Sequence, residues 1–190
     1  MAEPDVYTLP DDLPVPEDDG ACDHLPGRSL PALTLNATTG GPVDLAGLGA
    51  TGTAVLFIYP RTGKPGEPLP PGWDLIPGAR GCTPQSCAFR DLHGEFAERG
   101  AVVVGLSAQS QGDQAEFAER VHLRFPLLSD PQLELATALE LPTFEVAGMT
   151  LYKRITLVVR DGKIAKAFYP VFPPDRNAAD VLAWLSAEPA

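Results

Sequence analysis

Strand-type and helix-type runs alternate along most of this chain, and that alternation limits the folds it can adopt. Runs rich in β-branched residues predict strands near 32–36, 42–45, 53–59, 101–107, 126–128, 155–160 and 163–169. Helical spacing of apolar residues predicts helices near 84–98, 113–122, 131–139 and 177–187. The pair Asp161-Gly162 predicts a hairpin between the last two strands. Strands interleaved with helices favour an α/β fold, a three-layer sandwich with the sheet in the middle.

Composition narrows the functional classes. The chain has 190 residues, which suits one domain with a substantial core. A net charge of −11 argues against a nucleic-acid partner, because phosphates would be repelled. No apolar run approaches the roughly 20 residues of a membrane span. Residues 1–28 form an acidic, proline-rich N-terminal arm, and residues 29–190 form the predicted domain.

Cysteine usage predicts a reducing compartment. The chain has three cysteines, an odd number that is poor for a structural disulfide framework. Its first residues lack the basic and apolar regions of a signal peptide. We therefore expect a cytoplasmic location. Cys22, in the arm, is expected to be a free thiol, because no second cluster is visible to complete a metal site with it.

Two of the cysteines, Cys82 and Cys87, lie at a predicted helix start. Pro84 suits a first helical turn, and a glycine- and proline-rich loop precedes the pair. Free backbone N–H groups and the positive end of the helix dipole favour thiolate over thiol at this place. The pattern therefore indicates a reactive cysteine rather than two unrelated core thiols.

The spacing of the pair argues against a static disulfide. Residues five apart in an intact helix have Cα atoms roughly 8.5 Å apart. A disulfide needs Cα atoms within about 7 Å. Cys82 and Cys87 could therefore bridge only if the first helical turn unravelled, which favours a switch between a helical dithiol and a locally unfolded disulfide.

At these residues the chain resembles a known family. Tyr59-Pro60 followed by Gly81-Cys82-Thr83-x-x-x-Cys87-x-x-Arg90-Asp91 is similar to the active-site region of peroxiredoxins of the bacterioferritin-comigratory (Q) type. Later segments agree in order, so that the resemblance spans about residues 29–187: Val103–Ser107, Phe125–Asp130 and Arg154–Ile164.

The resemblance implies a thioredoxin-like fold and a thiol-dependent peroxidase that reduces hydrogen peroxide and organic hydroperoxides. It implies that Cys82 is the peroxidatic cysteine, oxidised to a sulfenic acid, and that Cys87 is the resolving cysteine of an intramolecular disulfide. Arg154 matches the arginine that holds the thiolate and polarises the peroxide. The implied partners are the hydroperoxide and a thioredoxin-like reductant. We expect a monomer with no cofactor and no metal.

The chain departs from the family pattern in one motif. The family carries Pro-x-x-x-Thr/Ser-x-x-Cys, but Ala79 occupies the hydroxyl position here. Pro60 and Thr62 stand about twenty residues upstream, as if an insertion split the motif after Thr62. We expect Thr62 to return to the sulfur, in preference to the nearer Thr83.

The inserted segment 63–80, called the flap below, contains five prolines and four glycines. We expect it to be ordered and to pack Trp73 near the active site; a mobile loop and a polyproline partner motif are the alternatives. Two other functions stay open. A thioredoxin-fold disulfide reductase would use Cys-x-x-Cys, and a copper-handling module would use Cys-x-x-x-Cys with a distant histidine, so both spacings differ from the one in this chain.

Overall fold

The computed structural model describes residues 5–188. Within them the strands are β1 (Thr34–Ala37), β2 (Val43–Asp44), β3 (Thr53–Ile58), β4 (Ala101–Ser107), β5 (Leu127–Ser129), β6 (Thr143–Val146), β7 (Met149–Tyr152), β8 (Ile155–Arg160) and β9 (Lys163–Phe168). The α-helices are α1 (Cys82–Asp91), α2 (His93–Glu98), α3 (Gln111–Arg120), α4 (Glu134–Leu139) and α5 (Asn177–Ala187).

Seven strands form one mixed sheet in the order β2-β1-β5-β4-β3-β8-β9. Its centre is parallel, because β3 and β5 both run parallel to β4, whereas β8 runs antiparallel to β3. The β8–β9 hairpin is closed by Asp161 and Gly162, which have φ angles of 50° and 72°. Two consecutive positive φ angles are typical of the hairpin turns that the Asp-Gly pair predicts. That prediction is confirmed.

The sheet separates two apolar clusters, and the alternation of β3 shows how. Val55 and Phe57 face the cluster that contains side chains of α1, α2, α3 and α5. Leu56 and Ile58 face the cluster that contains α4 and part of the N-terminal arm. Successive strand residues point to opposite faces, and all of β3 is buried. A fully buried strand therefore serves both cores, and the predicted three layers are present.

Two parts of the predicted secondary structure were wrong. The helix predicted over 84–98 is two helices, because the chain leaves helical geometry at Leu92, whose φ is −95° and ψ is 7°. The prediction also lacked the β6–β7 hairpin, which forms a separate two-stranded sheet. Its turn uses Ala147 and Gly148, both with positive φ. Alanine is an uncommon residue at such a position, so the turn signal was weak.

The N-terminal arm packs on the domain along residues 5–28. Leu25 and Cys22 are buried in the apolar cluster that contains α4, and Val6 is buried outside that cluster. The backbone joins the hairpin, since Gly27 N–H donates to the Ile164 carbonyl and Ile164 N–H donates to the Arg28 carbonyl, both at 2.8 Å. The division at residue 28 stays a prediction, because arm and domain share one core. Among the helices of residues 5–188, none has the length and apolar character to cross a membrane.

Candidate active site

Cys82 is the first residue of α1, and the residue before it explains the sharp entry into that helix. Gly81 has a φ of 105°, which L-residues rarely adopt. A Cβ at Gly81 would lie 2.7 Å from Leu9 Cδ2 and 2.8 Å from Pro174 Cγ. Glycine is therefore required here on both conformational and steric grounds. The Cys82 side chain is buried, and it sits where the helix presents free N–H groups and its positive dipole end.

The guanidinium of Arg154 contacts the Cys82 sulfur. Arg154 Nη2 lies 3.2 Å from Cys82 Sγ, and the same nitrogen donates to the carbonyls of Ala79 and Arg80, each at 3.1 Å. Arg154 Nε donates to the Gly78 carbonyl at 3.3 Å. One buried cation thus fixes three consecutive carbonyls of the flap and the sulfur that follows them. Within residues 5–188 no carboxylate forms a salt bridge with Arg154, so its charge is directed to these dipoles and to Sγ.

A chain of buried hydrogen bonds orients Arg154. Its Nη1 donates to Gln85 Oε1, and Gln85 Nε2 donates to Asn177 Oδ1 at 2.9 Å. Thr156 Oγ1 donates to the same Asn177 oxygen at 2.7 Å. The chain connects α1, the start of α5 and β8. Sequence reasoning missed Gln85 and Asn177. Gln85 lies three residues after Cys82, one helical turn along the same face, and that spacing could have identified it.

Cys87 lies about 1.4 turns further along α1 and is a free thiol, as is Cys82. It is half-buried on the same side of the sheet as Phe89 and Phe96. Burial raises the pKa of the Cys87 thiol above its usual range, and the nearby Arg90 partly opposes that shift. With both cysteines in one intact helix, the structure has the reduced, separated arrangement that the spacing predicts.

Thr62 does not lie against the sulfur. Its N–H and its hydroxyl both donate to Gln109 Oε1, at 2.8 Å and 3.2 Å. The polar contacts of Cys82 Sγ are Arg154 and the Ala79 carbonyl, to which the thiol donates at 3.7 Å. Thr83, and not Thr62, lines the cavity beside Cys82. Thr62 was expected to lie beside the sulfur, but its hydroxyl donates a hydrogen bond to Gln109 instead.

The flap packs beside the sulfur and places Trp73 near the site, as expected. Trp73 begins a short 3-10 helix, is buried, and stacks at a tilt on Phe144 with ring centroids 6.1 Å apart. Trp73 and Leu69 line the same cavity as Cys82. Arg80, at the end of the flap, pairs with Asp74 at 2.9 Å. The flap is thereby tied to itself and to the β6–β7 hairpin.

Cys22 differs from the other two cysteines. It is buried in the core beneath the sheet. Burial, reinforced by Asp19 and other nearby carboxylates, raises the pKa of Cys22 to about 12. Its thiol therefore stays protonated at neutral pH and is a poor nucleophile. Sequence reasoning treated it as a free thiol on the arm, which is confirmed, but the core position was not visible in the sequence.

The site combines a buried sulfur, a cation with no acidic partner among residues 5–188, and a second thiol on the same helix. This arrangement stabilises a thiolate and an oxygen that becomes negatively charged beside it. Within residues 5–188 no group of three His, Cys, Asp or Glu side chains could hold a metal ion. The chemistry that these residues support is nucleophilic attack by sulfur.

Comparisons with known proteins show the family and the fold of this chain. The family model described as Redoxin matches residues 25–182. Peroxiredoxin Bcp from Bacillus subtilis is 31% identical over 156 residues, which are 80% of this chain and 89% of that protein. The crystal structure of peroxidoxin BcpB from Mycobacterium tuberculosis has a TM-score of 0.69 and 34% identity, and the match covers 88% of this chain and 100% of that one. Peroxiredoxin Q from Xanthomonas campestris has a TM-score of 0.65 and 24% identity over 94% of this chain and 98% of that one, and supports the fold alone.

Proposed function

Because the chain belongs to the Redoxin family and is a peroxiredoxin with the thioredoxin-like fold, we propose that Cys82 is its peroxidatic cysteine and Cys87 its resolving cysteine. The protein is a thiol peroxidase. Its proposed substrates are hydrogen peroxide and organic hydroperoxides, and its proposed reductant is a thioredoxin-like dithiol. A monomeric state and a cytoplasmic location are further proposals.

In the first step the Cys82 thiolate attacks the terminal oxygen of the hydroperoxide. A sulfur–oxygen bond forms and the oxygen–oxygen bond breaks, so that the sulfur is oxidised by two electrons and becomes a sulfenic acid. The departing oxygen leaves as hydroxide or alkoxide and takes up a proton, giving water or an alcohol. Arg154 acts twice in this step. Its positive charge stabilises the thiolate before the attack and the negative charge that develops on the departing oxygen during the attack.

In the second step the Cys87 sulfur attacks the Cys82 sulfenic acid. A disulfide forms, and the hydroxyl of the sulfenic acid leaves with a proton as water. The helix holds Cα atoms five residues apart at roughly 8.5 Å, beyond the reach of about 7 Å. We therefore propose that residues 82–87 leave helical geometry in this step. The dithiol reductant then exchanges with the disulfide and restores both thiols.

One observation carries the proposal: Arg154 Nη2 lies 3.2 Å from Cys82 Sγ and has no acidic partner among the described residues. If Arg154 only held the flap in place, its hydrogen bonds to the flap carbonyls would be enough, and a contact with the sulfur would not be needed. The contact with a sulfur at a helix start is a feature that a reactive thiol needs and an inert one does not.

A single-turnover experiment tests the assignment. Reduced protein is mixed with excess hydrogen peroxide, quenched, and analysed by mass spectrometry. Cys82→Ser should abolish the oxidation of the thiol pair. Cys22→Ala is the matched control, and it should oxidise at the rate of the unmodified protein because Cys22 is buried and protonated. A Cys82→Ser protein with a normal first turnover would refute the proposed function.

A further inference from the structure

The N-terminal arm reaches into the cavity beside Cys82. Val6 is only 6% exposed and lines that cavity together with Leu69 and Trp73 of the flap. Its packing on the flap is tight, because a Cβ built on Gly63 would lie 2.8 Å from Val6 Cγ1 and 3.2 Å from Leu69 Cδ2. A residue from outside the domain proper thus forms part of the wall around the reactive sulfur.

Contacts on both sides of Val6 hold it there. Arg80 donates to the Asp5 carbonyl at 2.6 Å. Arg120 Nη1 donates to the Tyr7 hydroxyl, and Arg120 Nη2 donates to the Gly63 carbonyl, both at 3.0 Å. The residues before and after Val6 are therefore tied to the flap and to the end of α3. Val6 cannot withdraw without breaking these bonds.

The remaining space is small. About 10 Å³ of the cavity can hold the centre of a water-sized molecule. That is about the minimum that a single water molecule requires. A molecule of the size class of water or hydrogen peroxide fits such a space with little adjustment. The carbon substituent of an organic hydroperoxide exceeds this volume, so it fits only if the side chains that line the cavity move or the substituent extends past them.

We propose that Val6 is a specificity-determining residue, which narrows the cavity at Cys82 and favours hydrogen peroxide over hydroperoxides with bulky carbon substituents. This inference rests on the proposed function of Cys82. Of the three apolar residues of the wall, Val6 is the one the arm supplies. Trp73 belongs to a separate apolar cluster with Val146 and Leu151, and Leu69 packs against that cluster, so trimming either would also disturb the flap.

The test compares two substrates on the same protein. The rate constant kcat/KM is measured for hydrogen peroxide and for cumene hydroperoxide with wild type, Val6→Ala and Val15→Ala. Val15 lies on the same arm, is 64% exposed and does not line the Cys82 cavity. Val6→Ala removes two methyl groups, and even one methylene in an apolar pocket changes discrimination by about tenfold or more. Val6→Ala should therefore raise the cumene-to-hydrogen-peroxide ratio by about tenfold, and Val15→Ala should leave it unchanged.

The ratio keeps the test decisive. Both substrates meet the same sample, so a partial loss of folded protein cancels. An unchanged ratio in Val6→Ala, or an equal rise in Val15→Ala, would overturn the role of Val6 while leaving the peroxidase assignment intact. Failure of the proposed function has another signature: wild type would then oxidise with either peroxide at a residue other than Cys82, which peptide mapping would reveal.

Discussion

Replacing Arg154 by glutamine should slow the reaction of Cys82 with hydrogen peroxide by about a hundredfold to a thousandfold. The cation lies 3.2 Å from the sulfur, in a buried site. Two unit charges at that distance attract by about 5 kcal/mol at an effective dielectric constant of about 20. That value is an upper bound, because the guanidinium charge is delocalised and three carbonyls share it. Loss of one preorganised donor at a reacting centre typically costs about a hundredfold to a thousandfold.

The assay is rapid mixing with excess peroxide, with the oxidised thiol quantified after quenching. Arg154→Lys separates charge from geometry, because lysine keeps the cation and loses the planar fork that binds the flap carbonyls. We expect an intermediate rate for it. Arg160→Gln is the control, since Arg160 donates to the Glu188 carbonyl at 2.6 Å and lies over the Trp184 ring, with no contact to Cys82.

Stability needs a separate measurement. Arg154→Gln leaves the carbonyls of the flap with fewer donors, at about 1–3 kcal/mol for each buried unsatisfied group. Thermal unfolding of each variant therefore accompanies the kinetics, and rates are compared well below the lowest transition. An Arg154→Gln protein that reacts within about threefold of wild type would refute the electrostatic argument.

Two further predictions concern the other cysteines. Cys87→Ser should keep the first turnover but lose thioredoxin-coupled turnover and accumulate over-oxidised Cys82, and oxidation of wild type should lower hydrogen-exchange protection over residues 83–90. A peptide map showing Cys82 bonded to Cys22 or to a second subunit would contradict it. Because the pKa of Cys22 is raised to about 12, the thiol holds its proton up to that pH. Iodoacetamide at pH 8 should label Cys22 about a thousandfold more slowly in folded protein than in urea. Comparable labelling rates in the two states would show that Cys22 is not buried.

The parts of the site that could be predicted depend on local sequence. Cys82 is placed by the strand, loop and helix start around it, and Asp161-Gly162 fixes the hairpin by its own conformational preference. Arg154 was identified by the resemblance and not by pattern. Gln85 follows from helical spacing, although its partner Asn177 is 92 residues away and could not be read from the sequence.

The features that could not be predicted depend on long-range packing. Thr62 binds Gln109 across 47 residues, and nothing near Thr62 predicts that partner. The place of Val6 depends on contacts from Asp5 to Arg80 and from Tyr7 to Arg120, which join segments 75 and 113 residues apart. An acidic arm with little apolar content is not expected to fold alone, and its sequence does not show that Val6 is buried whereas Val15 stays exposed.

In the proposed mechanism, the same helical turn stabilises the reduced site and delays its resolution. Gln85 binds both Arg154 and Asn177 while the turn is intact, so unwinding of α1 removes partners from two buried polar side chains. Burial also raises the pKa of Cys87 and keeps that thiol a weak nucleophile in the helix. The proposed unwinding would expose Cys87 to water and bring its pKa back towards the usual value, so that the thiol would become more reactive as it comes within reach of Cys82. In this proposal, one conformational change both brings Cys87 within reach of Cys82 and activates its thiol.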